Sequence, residues 1–252
     1  MRQRSRDSSP WTDNFRKRGH VRTLWTIGAL ALLAACSKGD EAQTTTDTAA
    51  GAAAATAAAN SDPDNQTAGG GVPAGYVGKV DRPDAKIADA SYTPSGNGWE
   101  VKTGPAHILY AARDTASGVY SATATIEQLA APTHPEAFGI FIGGQNLDQP
   151  SQRYTYFLVR GGGEYLVKTR DGAQTRDVIT WAASPNVPKA DANGRASYKL
   201  TAHVAADTVH FLVNDKLVGA VPKRNLPTEG VAGLRINHNL NVKTSGVSVT
   251  KG

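Results

Sequence analysis

Residues 76–252 are built from short segments rich in β-branched and aromatic residues, separated by turn-forming residues. The segments recur every ~8–12 residues, and none has the period of about 3.6 residues that marks an amphipathic helix. They are 99–102, 106–111, 119–129, 138–142, 154–160, 164–170, 178–181, 197–204, 208–213, 216–221, 231–236 and 242–249. This pattern predicts an all-β domain in which two antiparallel sheets form a jelly-roll sandwich. A domain of about this length can bury a full core.

Two hairpins can be placed in register. If Gly161, Gly162 and Gly163 form the first loop, residue 160 opposes residue 164. One face then carries the pairs Arg160–Glu164, Leu158–Leu166, Tyr156–Lys168 and Tyr154–Arg170, and the other carries Phe157–Val167 and Val159–Tyr165. We expect the second face in the core and the first, mixed aromatic and charged, in contact with solvent. In the second hairpin Asn214-Asp215 predicts a type I′ turn, with Phe211 opposite Val218.

The N-terminus has the features of a bacterial lipoprotein signal. Basic residues at 16–18 and 22 precede an apolar run over 24–35, which is about a dozen residues long and too short to cross a bilayer as a mature helix. The run ends in Leu33-Ala34-Ala35-Cys36, which resembles a lipobox. We therefore predict that residues 1–35 are a signal peptide and that Cys36, the sole cysteine, carries the lipid. Ser37 after the cysteine favours the outer membrane, facing the periplasm or the cell surface, by resemblance to enterobacterial sorting rules.

Residues 36–75 are rich in Ala, Thr, Asp and Gly and contain almost no large apolar side chain before position 72. Such a segment buries too little apolar area to offset its ordering entropy, so we predict a disordered linker that joins the anchor to a domain at 76–252. The formal charge of +5 belongs to the signal: seven of the 27 Lys and Arg and two of the 22 Asp and Glu lie in 1–35, which leaves 20 of each. Without net charge or a basic cluster, nucleic acid is not an expected partner.

No catalytic, metal or cofactor motif stands out. The glutamates of the domain do not form the Glu-x-Asp-x-x-Glu pattern that places acids on one strand face in laminarinase-type hydrolases. The five histidines of the domain (107, 134, 203, 210 and 238) lack the i,i+4 and His-x-His spacings of zinc ligands, so we expect no metal. The triglycine at 161–163 lacks the Lys-Ser/Thr of a phosphate loop. Asp191-Ala192-Asn193-Gly194 is typical of a plain turn.

Four motifs carry a family resemblance: 138–144 (Phe-Gly-Ile-Phe-Ile-Gly-Gly), strand 154–160 with its glycine hairpin, 211–215 (Phe-Leu-Val-Asn-Asp) and 230–236 (Gly-Val-Ala-Gly-Leu-Arg-Ile). Over about 95–250 the chain resembles concanavalin A-like (laminin G-like) jelly rolls, and among them bacterial envelope domains related to the 3-keto-disaccharide hydrolase family. The resemblance implies two antiparallel sheets, one of them concave, and carbohydrate as the commonest ligand class. Its motifs are structural, so they indicate fold better than function.

A sugar-binding face needs flat aromatic rings and planar polar groups. The candidates are Tyr154, Tyr156, Lys168 and Arg170 on the first hairpin face, Trp181 at its rim, and Asn237, His238 and Asn239 where the chain leaves a strand. Our interpretation is a non-catalytic, membrane-anchored envelope lipoprotein that binds glycan. Two other classes stay open: a glycoside or 3-keto-disaccharide hydrolase-like enzyme, and a structural or protein-interaction domain.

Overall fold

The structure is a computed structural model, and it describes residues 69–252. The predicted signal peptide at 1–35, Cys36 and the linker up to residue 68 lie outside the described residues. Fifteen strands make up the described part: β1 Val77–Val80, β2 Ser91–Ser95, β3 Gly98–Lys102, β4 His107–Ala116, β5 Tyr120–Gln128, β6 Ala137–Gln145, β7 Arg153–Arg160, β8 Glu164–Asp171, β9 Gln174–Ala183, β10 Ala196–Val204, β11 Thr208–Val213, β12 Lys216–Pro222, β13 Gly230–Ile236, β14 Asn241–Thr244 and β15 Ser248–Lys251. Two 3₁₀ turns, Ile87–Asp89 and Lys223–Asn225, are the helical elements among these residues. Within 69–252 no helix has the length and hydropathy to cross a membrane.

Each of the twelve predicted segments coincides with a strand, and the two strands that were not predicted lie at sheet edges. β2 contains Pro94, and proline weakens the signal of a strand because it donates no ladder hydrogen bond. β1 is only four residues long. The predicted segment 242–249 is divided into β14 and β15, because Gly246 between them has a left-handed φ of 79°.

The strands form two antiparallel sheets, which confirms the all-β prediction at that level. The seven-stranded sheet has the order β1-β4-β13-β6-β7-β8-β9. The eight-stranded sheet has the order β12-β11-β10-β5-β14-β3-β2, with β15 also paired to β5. This arrangement is consistent with a jelly-roll sandwich.

The core lies between the sheets and draws side chains from both. Phe138 of the seven-stranded sheet meets Tyr198 of the other sheet at a ring-centroid distance of 5.5 Å, and Phe157 meets Phe211 at 5.2 Å. All four rings are fully buried. We call this side of the seven-stranded sheet its inner face and the opposite side its outer face.

The register predicted for the first hairpin is confirmed residue by residue, from Tyr154 opposite Arg170 to Arg160 opposite Glu164. In the second hairpin the turn is confirmed, because Asn214 and Asp215 have φ values of 50° and 63°. The pairing of Phe211 with Val218 is wrong: Phe211 opposes Gly219, because an irregularity shifts the ladder by one residue.

The expected solvent contact of the outer face is wrong for its tyrosines. Tyr154 is 1% exposed and Tyr156 is 7% exposed. They belong to a second apolar cluster, here called the outer cluster, which consists of Ile108, Ala137, Phe141, Leu147, Tyr154, Tyr156, Leu158 and Leu166. Leu147 reaches it from the connection between β6 and β7. Strand β7 is therefore buried on both faces.

Candidate functional site

A buried ion network lies beside the outer cluster. Both terminal nitrogens of Arg235 donate to the two carboxylate oxygens of Asp81, and Arg170 Nη1 lies 3.5 Å from Asp81 Oδ1. The guanidinium of Arg235 also lies 5.4 Å from the ring centroid of Tyr156. Three charged side chains thus converge from β13, β8 and the residue that follows β1.

Asp81 and Arg235 each stabilise the ionised form of the other. Burial by itself would raise the pKa of Asp81, but the hydrogen bonds and positive charge of Arg235 outweigh it and hold the pKa below its usual value. Burial likewise acts to lower the pKa of Arg235, and the bound Asp81 carboxylate reverses that effect and raises it. Burial is also the main reason why the pKa values of Tyr154 and Tyr156 are raised. The two tyrosines therefore pack in the fold and do not present a free face for a sugar. Arg170 contacts Asp81 and also lines a separate cleft of about 230 Å³ beside Arg153 and Asp171.

Two clefts open at the end of the sandwich where the β7–β8 hairpin turns. The first cleft, of about 430 Å³, is lined by Gln128 at the end of β5, by 131–136, by the hairpin residues 160–162 and 164, and by 190–192 and 194 before β10. The second cleft, of about 300 Å³, is lined by 81, 82, 84, 85, 105, 106, 235, 237 and 238. They adjoin at residues 134–136, which line the first, and residues 237–238, which line the second.

A cluster of His134, Glu136 and His238 separates the two clefts. Glu136 Oε1 lies 3.0 Å from His134 Nδ1 and 3.3 Å from His238 Nδ1. The other carboxylate oxygen accepts a hydrogen bond of 3.1 Å from Asn237 Nδ2. Glu136 is 9% exposed, whereas both histidines are partly open to solvent. Two imidazoles and one carboxylate form the one group among residues 69–252 whose geometry suits a metal ion.

The first cleft also contains a planar polar pair. Arg160 Nε and Nη2 donate to the two oxygens of Glu164 at 2.6 and 2.7 Å, and these hydrogen bonds lower the pKa of Glu164. The guanidinium of Arg160 stacks on the indole of Trp181 at 4.3 Å from the ring centroid. Trp181 lies in the edge strand β9 and is 38% exposed. An aromatic ring, a guanidinium and a carboxylate therefore meet at the rim of the cleft.

The structure divides the predicted site among four places. Tyr154, Tyr156 and Arg170 lie in the buried outer face, and Lys168 forms an ion pair of 3.0 Å with Asp177 of β9. Trp181 is beside the first cleft, as described. Asn237, His238 and Asn239 do come together at the two clefts: the first two contact Glu136, and Asn239 Nδ2 donates to Thr133 Oγ1 at 2.6 Å.

Sequence reasoning missed His134, Glu136 and Asp81, and it placed Arg160–Glu164 only as one cross-strand pair on the solvent-facing side of the first hairpin. The test of histidine spacing could not find the cluster, because Glu136 and Asn237 are 101 residues apart in sequence. His134 and Glu136 are neighbours in the sequence. His238 is brought to them by the pairing of β13 with β6.

No family model matches the chain, and no curated protein matches it. The relation to 3-keto-disaccharide hydrolases therefore stays a prediction.

Several solved structures are similar in fold. A carbohydrate-binding module from Bacillus subtilis matches at a TM-score of 0.48 with 11% identity, over 70% of this chain and 96% of that one. A glycoside hydrolase family 16 endo-glucanase from Bacteroides ovatus matches at 0.49 with 10% identity, over 69% and 94%. Sheep galectin-11 matches at 0.39 with 11% identity, over 54% and 92%. Likenesses at this level of identity assign the chain to no family.

Proposed function

We propose that this protein is an envelope lipoprotein whose jelly-roll domain binds carbohydrate in the first cleft. The observation that carries the proposal is the Arg160–Glu164 pair, which lines the cleft with Trp181 stacked beside it. A volume of about 430 Å³ falls within the range of about 300–1,000 Å³ usual for small-ligand sites.

The chemistry of the rim suits a sugar. Arg160 uses Nε and Nη2 for Glu164 and keeps the hydrogens of Nη1 for a ligand, while each carboxylate oxygen retains a lone pair. Vicinal hydroxyls need such a planar set of donors and acceptors. The partly exposed indole of Trp181 offers apolar surface to the face of a pyranose ring.

We propose binding and not hydrolysis, because every carboxylate that lines the first cleft is already engaged. Glu164 is bound to Arg160, and Glu136 contacts two histidines. Asp191 Oδ1 accepts hydrogen bonds from the backbone of Asn193 and Arg195. A two-carboxylate glycosidase needs one acid with a raised pKa, whereas the pKa of Glu164 is lowered.

Glycan binding is tested on the full chain, purified in detergent, with an array of bacterial and plant polysaccharides. Glu164→Gln should weaken binding by about tenfold to a hundredfold, because a hydrogen bond to a charged group contributes about 1.5–3 kcal/mol. Asp215→Asn is the matched control, since it breaks an exposed ion pair of 2.8 Å with Lys199 in the eight-stranded sheet. Equal loss in the two variants, or no glycan retained by the wild-type chain, would contradict the proposal.

The anchor is a separate part of the proposal. The basic stretch, the short apolar run and Leu33-Ala34-Ala35-Cys36 support lipid attachment at Cys36. In cells fed radiolabelled palmitate, the wild-type protein should carry label in the membrane fraction. Cys36→Ala should carry none, and it should either move to the soluble fraction or remain an uncleaved precursor. Label that persists on Cys36→Ala would rule out the assignment.

A further inference from the structure

We infer that His134, Glu136 and His238 bind a divalent transition metal, with zinc as the best fit. The inference is independent of the proposed glycan binding, because it rests on this cluster alone.

The ends of two paired strands place the ligands. In the ladder between β6 and β13, Phe138 opposes Ile236, and the backbone N–H of Asn237 donates to the carbonyl of Ala137. Continuing this antiparallel register by one step sets position 238 opposite position 136. Glu136 and His238 therefore lie just beyond the ends of two hydrogen-bonded strands, and the strand pair limits how far these two ligands can move apart.

The distances suit tetrahedral coordination. Zinc ligands lie about 2.0–2.2 Å from the ion, which places neighbouring ligand atoms about 3.3–3.6 Å apart. The two histidine Nδ1 atoms lie 3.0 and 3.3 Å from Glu136 Oε1, and the three ligand atoms are all within 4.8 Å of one another. Each histidine is therefore already close to a ligand separation from Glu136, and the two histidines would have to move toward each other by at most about 1 Å.

The surroundings of Glu136 also suit a ligand. Asn237 holds Oε2, so that Oε1 is directed at the histidines, and such supporting hydrogen bonds fix the orientation of metal-ligating carboxylates. Asn237 Oδ1 is itself buried without a hydrogen-bond partner. Glu136 is almost fully buried, and its Oε1 faces two imidazole nitrogens that a metal ion could share with it.

The donor set selects the type of metal. Two imidazole nitrogens and one carboxylate oxygen favour zinc or a neighbouring first-row ion, whereas calcium and magnesium prefer oxygen ligands. Because His134 and Glu136 line the first cleft and His238 lines the second, a fourth coordination position has room for water or a ligand group.

The test is calorimetric titration of zinc chloride into tag-free full-length protein stripped with a chelator. We expect one equivalent bound with a dissociation constant of micromolar or below, and a melting temperature that rises with zinc concentration and saturates. Calcium chloride should produce neither effect. X-ray absorption at the zinc edge should show two imidazole ligands.

Variants assign the site. His238→Ala and Glu136→Gln should each weaken zinc binding at least tenfold. His210→Ala is the matched control: this histidine stacks on His203 at 5.9 Å in the eight-stranded sheet, and its removal should leave binding unchanged. Failure of the wild-type protein to bind one equivalent would overturn the inference, as would full binding by both site variants or an absorption spectrum without two imidazoles. The spectrum decides the matter on wild-type protein if a variant fails to fold. None of these measurements involves glycan, so the two proposals fail separately.

Discussion

At strand β7 the seven-stranded sheet is buried on both faces, but different interactions stabilise the two faces. On the inner face, Phe157 packs on Phe211 of the opposite sheet in an apolar core. On the outer face, one residue away in sequence, Tyr156 packs beside Tyr154 and lies near the guanidinium of Arg235, which Asp81 neutralises. The inner face depends on non-directional burial of apolar area, whereas the outer face also depends on a charge pair.

This difference teaches that the packing of the outer face depends on the Asp81–Arg235 ion pair, whereas the packing of the inner face depends on no charge. The apolar rings there share their surroundings with a guanidinium, which is tolerable only while its carboxylate partner is present and ionised. We therefore expect the two faces to respond differently to substitution and to acid.

The largest effect should follow Phe157→Ala. The substitution opens a cavity between the sheets and should lower the free energy of unfolding by about 3–5 kcal/mol. Urea unfolding of the full chain measures the loss. Leu217→Ala, at a half-exposed position in β12, is the control and should change the stability by less than about 1 kcal/mol. A loss of that small size for Phe157→Ala would show that the inner face has been assigned wrongly.

Asp81→Asn tests the charge pair of the outer face. The variant leaves Arg235 buried without its counter-ion, and unfolding should become about 3 kcal/mol easier, a value at the low end for buried pairs because Asp81 is partly exposed. Asp84→Asn removes a carboxylate of the same loop whose partner Arg82 is exposed, and the stability should barely change. If both variants unfold at the same urea concentration, the Asp81–Arg235 pair contributes no more to stability than the exposed pair does.

Tyr156→Ala tests whether the outer tyrosine belongs to the fold. Because the side chain is buried in the outer cluster, we expect a loss of about 2–3 kcal/mol, somewhat less than for Phe157→Ala. Tyr156→Phe retains the ring near Arg235 and should cost less than about 1 kcal/mol. A melting temperature for Tyr156→Ala equal to that of the wild type would return this residue to the list of sugar-binding candidates.

The smallest expected effect is a pH dependence of the free energy of unfolding that comes from His107. This residue lies on the same side of β4 as the core residue Leu109. Burial lowers the pKa of His107 to about 4, while its Nδ1–H donates to the carbonyl of Pro105 at 2.8 Å and Nε2 accepts from Tyr92. Between pH 6.5 and pH 4 the unfolded chain binds the proton and the folded chain does not, so stability should fall as pH falls, by about 2 kcal/mol at pH 5.

Asp81 acts in a different window. Its lowered pKa means that its contribution is complete above the usual carboxyl range, near pH 4, and is lost as pH falls further. Urea unfolding at pH 8, 6, 5, 4 and 3 separates the two groups, because the loss from His107 develops above pH 4 and the loss from Asp81 develops below it. In His107→Gln the free energy of unfolding should change less steeply between pH 6.5 and pH 4. If it changes as steeply as in the wild type, the pH dependence comes from other histidines.

Much of the architecture could be read from local patterns. Strand positions follow β-branched and aromatic runs between turns, and the register of β7 and β8 follows from three glycines between Arg160 and Glu164. The misplaced pairing of Phe211 shows the limit of this reasoning, because one irregular residue in β12 shifts every partner beyond it.

The candidate site was far less predictable. Trp181 and the residues 237–239 were found because they are aromatic or polar at strand edges and ends, but their partners Arg160, His134 and Glu136 were not recognised. A tyrosine that alternates with core residues gives the same signal whether water or another apolar cluster covers its face, which is why Tyr154 and Tyr156 were expected at the surface.

The sequence by itself determined the β-class, the strands from β3 onward and the first hairpin, because period and turn chemistry act between residues that are close in the chain. Only the tertiary structure decided that the outer face is covered, that Asp81 neutralises Arg235, and that His238 meets Glu136. The last two contacts join positions more than 100 residues apart, and their partners are set by which strands lie side by side in the sheet. Strand order depends on the packing of the whole domain, and no local pattern encodes it.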